Sequence, residues 1–220
     1  MSRGLFVSLE GGEASGKSLQ ARALEASLRG AGHEVVLTRE PGGTATGERV
    51  REIVLHAAEL RPYAETQVLL FSAARAQLVR EVIDPALARG AVVISDRFYD
   101  STTVYQGYGH QADLDGIAAV TRFAVGGVRP DRTFLLDVPV EVALRRSDDR
   151  AAGRQWDRFE SGDIDFHQRL RDGYLRLANA EPQRFVVLDG DRAAAEIAAE
   201  IRGEVERVLA RRRAYTPRAT

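Results

Sequence analysis

The sequence predicts a doubly wound α/β domain, and three observations carry that expectation. Five short apolar or β-branched runs alternate with longer stretches of helical pattern, as in strand–crossover–strand units on a parallel sheet. The runs are almost continuously apolar, which suits strands covered on both faces. At 220 residues the chain fits one such domain better than two.

The first run is LFVSL at residues 5–9, and a helical stretch at 17–29 follows it across a glycine-rich turn. The second strand, 34–38, reads EVVLT and leads into a helix over 46–56. A long helical stretch, 63–88, precedes the third strand, VVIS at 92–95. Helix 113–124 leads to the fourth strand, TFLLD at 133–137. Helices 140–147 and 166–180 lead to the fifth, FVVL at 185–188, and a helix over 192–212 closes the order. No internal repeat or linker divides the chain, so 1–220 is expected to form one domain. The Arg-, Asp- and Gly-rich stretch 148–157 reads as a mobile surface segment, and the closing RRRAYTPRAT as a frayed tail.

Composition narrows the function classes. A hydrophobic fraction of 44% with 29% charged residues is that of a soluble protein with a real core. The net charge of −1 gives no global field toward nucleic acid or membrane, so neither is expected as a partner. Apolar runs such as AVVIS are far too short to span a bilayer, and the first five residues have no signal-peptide pattern. The absence of cysteine excludes disulfides and thiolate metal sites and fits a cytoplasmic address. His33, His56, His110 and His167 show no metal-ligand spacing and read as exposed or capping residues. Asp163 and Asp165 could either cap the helix that follows them or join a magnesium shell, and capping is the expectation.

One basic residue stands apart. Lys17 is the only lysine among 31 Lys plus Arg, and it lies in Gly11-Gly12-Glu13-Ala14-Ser15-Gly16-Lys17-Ser18. This is G-x-x-x-x-G-K-S, the P-loop pattern, directly after a strand and opening a helix. Such a loop turns its backbone N–H groups around phosphates at a positive helix N-terminus. Lys17 would set a compact charge on the β- and γ-phosphates, and the Ser18 hydroxyl can ligate Mg²⁺. Arginine's wider planar fork does not replace an ammonium in so tight a loop. A nucleoside triphosphate is the expected ligand.

The stretch AVVISDRFYDST adds a second group. Asp96 falls at the carboxyl end of a strand, where it can hold Mg²⁺ through water, and Arg97 follows at the same switch-point crevice. Arg39, Arg51 and Arg75, and later Arg145, Arg146, Arg150, Arg154 and Arg158, crowd the places where the sheet should face ligand. A phosphoryl group passing between two anions needs several such cations. For Arg75 alone, a side chain snorkelling beside a core helix competes with a ligand contact. Arg22, Arg29, Arg89 and Arg202 read as solvated helix faces.

LEGGEASGKS, TREPGGT, SDRFYDSTTVYQG and the late DRFE, in this order, resemble the bacterial thymidylate kinases. The resemblance runs from residue 5 to about 191. It implies a three-layer P-loop NTPase fold with a five-stranded parallel sheet of order 2-3-1-4-5, helices on both faces and a short lid over 148–160. It further implies transfer of the γ-phosphoryl of MgATP to dTMP, giving dTDP and ADP for dTTP synthesis, and a homodimer. By resemblance, the loop residues Gly11, Gly12, Glu13, Ala14, Ser15, Gly16, Lys17 and Ser18 would bind ATP, and Arg146 would lie against adenine. Arg97 would bridge the donor and acceptor phosphates. Arg51 would hold the dTMP phosphate, helped by the Arg39–Thr44 loop with Arg39 and Pro41.

Phe71 would stack on thymine, Arg75 would donate to its O4 and Thr102 would meet its N3 edge. Tyr105 would close where a ribose 2′-OH would project, with Ser101 and Gln106 completing the acceptor site. Ser18 and Asp96 would hold Mg²⁺. Glu13 marks the branch whose catalytic arginine comes from the lid, here Arg150 or Arg154. Two alternatives stand beside this reading: another small-molecule P-loop kinase, and a nucleotide-dependent switch with a protein partner. Crowded arginines and a lid suit a two-substrate enzyme better.

Overall fold

The computed structural model describes residues 3–57, 59–151 and 163–215. Five parallel strands form one sheet of order β2-β3-β1-β4-β5. They are β1 (Leu5–Glu10), β2 (Val35–Arg39), β3 (Val92–Asp96), β4 (Arg132–Asp137) and β5 (Phe185–Asp189). β1 lies at the centre, with all six of its residues buried. It pairs Leu9 with Asp96 of β3 and Glu10 with Leu135 of β4, so charged groups gather at the carboxyl ends.

The alternation of β1 divides the core. Leu5, Val7 and Leu9 pack toward α1 (Lys17–Gly30) and α9 (Ala194–Tyr215), meeting Leu24, Leu28, Ile201 and Val205. Phe6 faces the other side, against Leu78, Ile83 and Leu87. Each such fully buried side chain contributes about 1.5–3 kcal/mol relative to exposure. The two faces make the three layers predicted from the strand pattern. Ser8 and Thr133 are buried polar residues of neighbouring strands and pair with each other at 2.8 Å.

The second face carries α2 (Ala45–Arg51), α3 (Ala64–Leu78), α4 (Asp84–Ala88), α5 (Tyr99–Thr102), α6 (Leu114–Val125) and α8 (Ile164–Ala180) around two apolar clusters. α7 (Val140–Ala151) packs on α8. Asp163 caps α8 by accepting from Phe166 N at 2.6 Å, as the sequence suggests.

Three stretches differ from expectation, the first being 46–56, where the helix turns π-helical over Glu52–His56. The 63–88 helix is interrupted by a π-helical turn, Val79–Ile83, before α4. Pro85 has no N–H to give the carbonyl of Glu81, and the wider turn passes over that gap. No helix was expected after Asp96, yet α5 continues as a π-helical segment over Thr103–Gly109. Thr102, Thr103 and Val104 are β-branched, and glycines stand at 107 and 109, which hides the helix from propensity. That segment carries one wall of the site.

Candidate active site

The turn from β1 into α1 forms the phosphate loop. Gly11 has φ 142°, and a Cβ there would lie 2.6 Å from the Leu136 carbonyl oxygen, so glycine is required. Lys17 is buried and folds back along the loop, donating to Gly12 O at 2.6 Å and Ser15 Oγ at 3.1 Å. Burial first, and then the Arg97 guanidinium, bring its pKa down to about 8 against the pull of Glu13, Asp96 and Glu10. An open, solvated lysine is not what the fold provides.

Ser18 donates its hydroxyl to Asp96 Oδ2. The pairing of β1 with β3 makes this meeting possible, since Asp96 ends β3 beside Leu9. A hydroxyl and a carboxylate at the mouth of a phosphate loop are a hard oxygen pair of the kind Mg²⁺ takes.

Arg97 follows at φ 70°, a left-handed value that a non-glycine residue holds only under constraint. Its Nη2 donates to Glu13 Oε1 at 2.6 Å and Tyr105 OH at 3.0 Å. Nη1 reaches Gly11 O and Ser101 Oγ at 3.1 Å and Tyr174 OH at 3.2 Å. Burial opposes ionisation of Glu13, but Arg97, Lys17 and the Tyr105 hydroxyl outweigh it and carry the pKa down to about 2. The guanidinium is thus aimed by five groups drawn from three stretches of the chain, the loop, the helix over Tyr99–Gly109 and α8.

Behind Arg97 sits Glu10, which sequence reasoning did not single out. It is fully buried at the end of β1 and accepts from Phe98 N at 2.8 Å, Ser101 Oγ at 2.6 Å and Tyr174 OH at 3.0 Å. Burial and the neighbouring Asp100 push its carboxyl up to about 7. A lone acid closing an apolar strand just before the glycines is the signal that could have found it. Tyr174, from α8, leaves no comparable signal.

The other wall begins at the loop after β2. Glu48 accepts from Gly43 N at 2.9 Å and from Arg39 Nη2 at 3.1 Å, and Arg51 Nη1 donates to Pro41 O at 3.0 Å. Glu40 is buried and receives Arg75 Nε at 2.8 Å on its Oε2. Burial raises the Glu40 pKa in spite of that partner. Arg75 is 2% exposed and also donates Nη2 to Thr102 Oγ1 at 2.9 Å. It does not snorkel: it is a buried, paired cation whose Nη1 has no hydrogen-bond partner. Gln106 Nε2 donates to Gln67 Oε1 at 2.9 Å, while the buried Gln106 Oε1 has no hydrogen-bond partner.

These walls enclose a cleft of about 870 Å³. The P-loop residues Glu13, Ala14, Ser15, Gly16, Lys17 and Ser18 line one end, with Asp96 and Arg97 between the ends. The acceptor-side candidates line the rest: Arg39, Pro41 and Arg51 with Phe71 and Arg75, then Ser101, Thr102, Tyr105 and Gln106. Gly11 and Gly12 line a small cavity behind the loop instead.

Arg146 is turned to the end of β5, donating to Gly190 O at 2.9 Å and Asp191 Oδ1 at 2.7 Å. The side chain of Arg150 and the whole of Arg154 lie outside the described residues, as does most of 148–160. Two bland readings need correction. Arg22 lines the cleft rather than only a solvated face. His167 is half-buried on α8 and lines the small cavity behind the loop.

The thymidylate kinase family profile matches residues 9–201. The chain belongs to the thymidylate kinase family. Its relatives include a thymidylate kinase from Deinococcus radiodurans, 52% identical over 202 residues, covering 91% of this chain and 96% of the relative. A thymidylate kinase from Geobacter sulfurreducens is 50% identical, covering 86% of this chain and 90% of the relative. One from Caulobacter vibrioides is 48% identical, covering 87% and 90%. The sheet order β2-β3-β1-β4-β5 agrees with the order that the thymidylate kinase resemblance implies.

Proposed function

We propose that this chain transfers the γ-phosphoryl group of MgATP to dTMP, giving dTDP and ADP. The observation that carries the reading is one continuous cleft with a P-loop at one end and a base-sized wall at the other, with Arg97 between them. Membership of the thymidylate kinase family supports dTMP as the acceptor.

Lys17 and the loop N–H groups hold the ATP phosphates, and Arg97 bridges to the acceptor phosphate, which Arg51 and the Arg39–Pro41 region also receive. Ser18 and Asp96 would hold Mg²⁺, which would supply charge neutralisation to the ATP phosphates. Phe71 stacks on thymine and Tyr105 closes against C2′ of the deoxyribose. The buried, unpaired Nη1 of Arg75 is a donor suited to O4, and the unpaired Oε1 of Gln106 is an acceptor suited to N3–H. Thr102 Oγ1 is already occupied by Arg75 and supports that donor. Arg146 flanks adenine, and Arg150 or Arg154 meets the transferring group from a lid over 148–160.

The working unit is a single-domain, cytoplasmic homodimer. Leu69 on α3 and Phe123 on α6 are 59% and 90% exposed on neighbouring helices, which suits an apolar contact between copies. Among the described residues no helix is long and apolar enough to cross a membrane.

A coupled ADP-release assay tests the reading, with ATP and a panel of dTMP, dUMP, dCMP, ribo-TMP and AMP. The expected result is highest kcat/KM with dTMP and poor use of dCMP and AMP. Equal turnover of dCMP and dTMP removes the base-wall assignment, and turnover independent of any monophosphate favours the switch reading.

A further inference from the structure

Gln67 lies on α3, buried, and outside the cleft wall that Gln106 helps to form. Its Nε2 donates to the Pro62 carbonyl oxygen at 2.9 Å, and its Oε1 accepts from Gln106 Nε2 at 2.9 Å. A carbonyl oxygen can only accept, whereas an amide has one end of each kind. Reversing the Gln67 amide would set its oxygen against Pro62 O and its NH₂ against the NH₂ of Gln106. The backbone therefore settles the direction of both side-chain amides. Gln106, 1% exposed, lines the cleft and is left with a buried oxygen that has no hydrogen-bond partner.

We propose that Gln67 is a positioning residue that sets base specificity by locking Gln106 as an acceptor. The proposal rests on the reading that this wall receives thymine, and it adds the device that keeps the wall from adapting. A glutamine free to turn its amide would meet a donor or an acceptor equally well. Thymine offers N3–H as a donor beside O4 as an acceptor. Cytosine reverses both, with N3 as an acceptor beside a 4-amino donor. With Arg75 Nη1 supplying the donor and Gln106 Oε1 the acceptor, the locked pair matches the N3–H and O4 edge of thymine and rejects that of cytosine. Opposing a buried acceptor with another acceptor leaves both unpaired, and that penalty exceeds the value of a good hydrogen bond.

The test compares dTMP with 5-methyl-dCMP, which keeps the methyl group and differs only at C4 and N3. kcat/KM for both is measured in the native protein, Gln67→Met and Gln67→Glu, with thermal melting as the check on folding. Methionine fills the space but holds no amide, so the dTMP preference should fall about tenfold. The change should come through KM of the two acceptors, with KM for ATP unchanged within about twofold. Glutamate still offers Gln106 an acceptor, ionised or protonated, and should keep the native ratio even where it lowers the melting point.

A purely structural role would move melting in both variants and leave both ratios alone. A native ratio in folded Gln67→Met overturns the proposal. If Gln67→Met does not melt cooperatively, a tenfold loss of the ratio in Gln67→Glu overturns it equally. No preference for dTMP in the native protein removes the thymine-wall reading, and the relay with it. A native preference that survives in Gln67→Met removes the relay alone.

Discussion

Arg97 Nη2 donates to Glu13 Oε1 at 2.6 Å, closing an ion pair between the end of β3 and the phosphate loop. The pair lies where two anionic substrates would meet, so Glu13 holds Arg97 in position before any phosphate does. Both side chains are largely sheltered, at 16% and 22% exposure, which keeps the attraction from being screened away. Tyr105 joins the same pair through its hydroxyl, at 2.6 Å from Glu13 Oε1.

Arg97→Lys keeps the charge and loses the fork that spans Glu13, Gly11 and Ser101. Losing one preorganised contact of this kind lowers kcat by about a hundred- to a thousandfold. Steady-state kinetics on a variant with a native melting profile checks it, and a kcat within twofold of native contradicts the bridging role.

Lys17→Arg should cost a similar factor in kcat, about a hundred- to a thousandfold, because the larger head cannot sit between Gly12 O and Ser15 Oγ. Lys17 also gives a pH signature. Its pKa, brought down to about 8, means that the free protein loses this positive charge as pH rises through that value. ATP binding, which favours the protonated form, should weaken from pH 8 upward. Calorimetric titration of ATP between pH 7 and 9 checks this, and a flat Kd contradicts it.

The buried Glu10 makes a prediction about stability. Its folded pKa of about 7 lies above the ordinary 4.5, so the native state holds a proton that the unfolded chain has released. Stability from this group is therefore present below pH 4.5 and is lost as pH rises to 7. Glu10→Gln removes that dependence, so the variant should gain on the native protein across this window. Urea unfolding at pH 5 and pH 7.5 measures the difference, and an equal gap at both pH values disproves it.

Tyr105 separates shape from charge. On sterics alone, Tyr105→Phe would change little, since the ring that faces the sugar remains. The structure adds the hydroxyl's bonds to Glu13 and from Arg97. Tyr105→Phe should therefore keep the deoxyribose preference while lowering kcat roughly five- to thirtyfold, at about 1 kcal/mol for each of the two lost hydrogen bonds. Tyr105→Ala should relax the preference as well. Rates with dTMP and ribo-TMP decide between them, and an unchanged preference in the alanine variant removes the ring as the gate.

Much of this molecule was legible because its strongest signals are local. The five strands are short buried runs, and each was placed within a residue or two of its position in the sheet. The loop around Lys17 is readable because backbone geometry demands its glycines at fixed spacing. Residues that act through distant partners were not legible. Glu40 meets Arg75 across 35 positions, and Tyr174 meets Glu10 across 164. Neither pairing has a periodicity or a spacing to betray it. Gln67 looks like any polar residue early in a helix, and only the Pro62 carbonyl gives it a direction. The helix over Tyr99–Gly109 was hidden because its residues favour strands or turns, and packing against α6 and α8 overrides them.

The central claim is phosphoryl transfer from one end of the cleft to the other, and the fate of labelled phosphate tests it most directly. The purified full chain is mixed with γ-labelled ATP, Mg²⁺ and dTMP, and the label is followed by chromatography. The account predicts that label appears in dTDP, one for each ADP formed, with little released as inorganic phosphate. Label passing to inorganic phosphate at a rate unaffected by dTMP would contradict it.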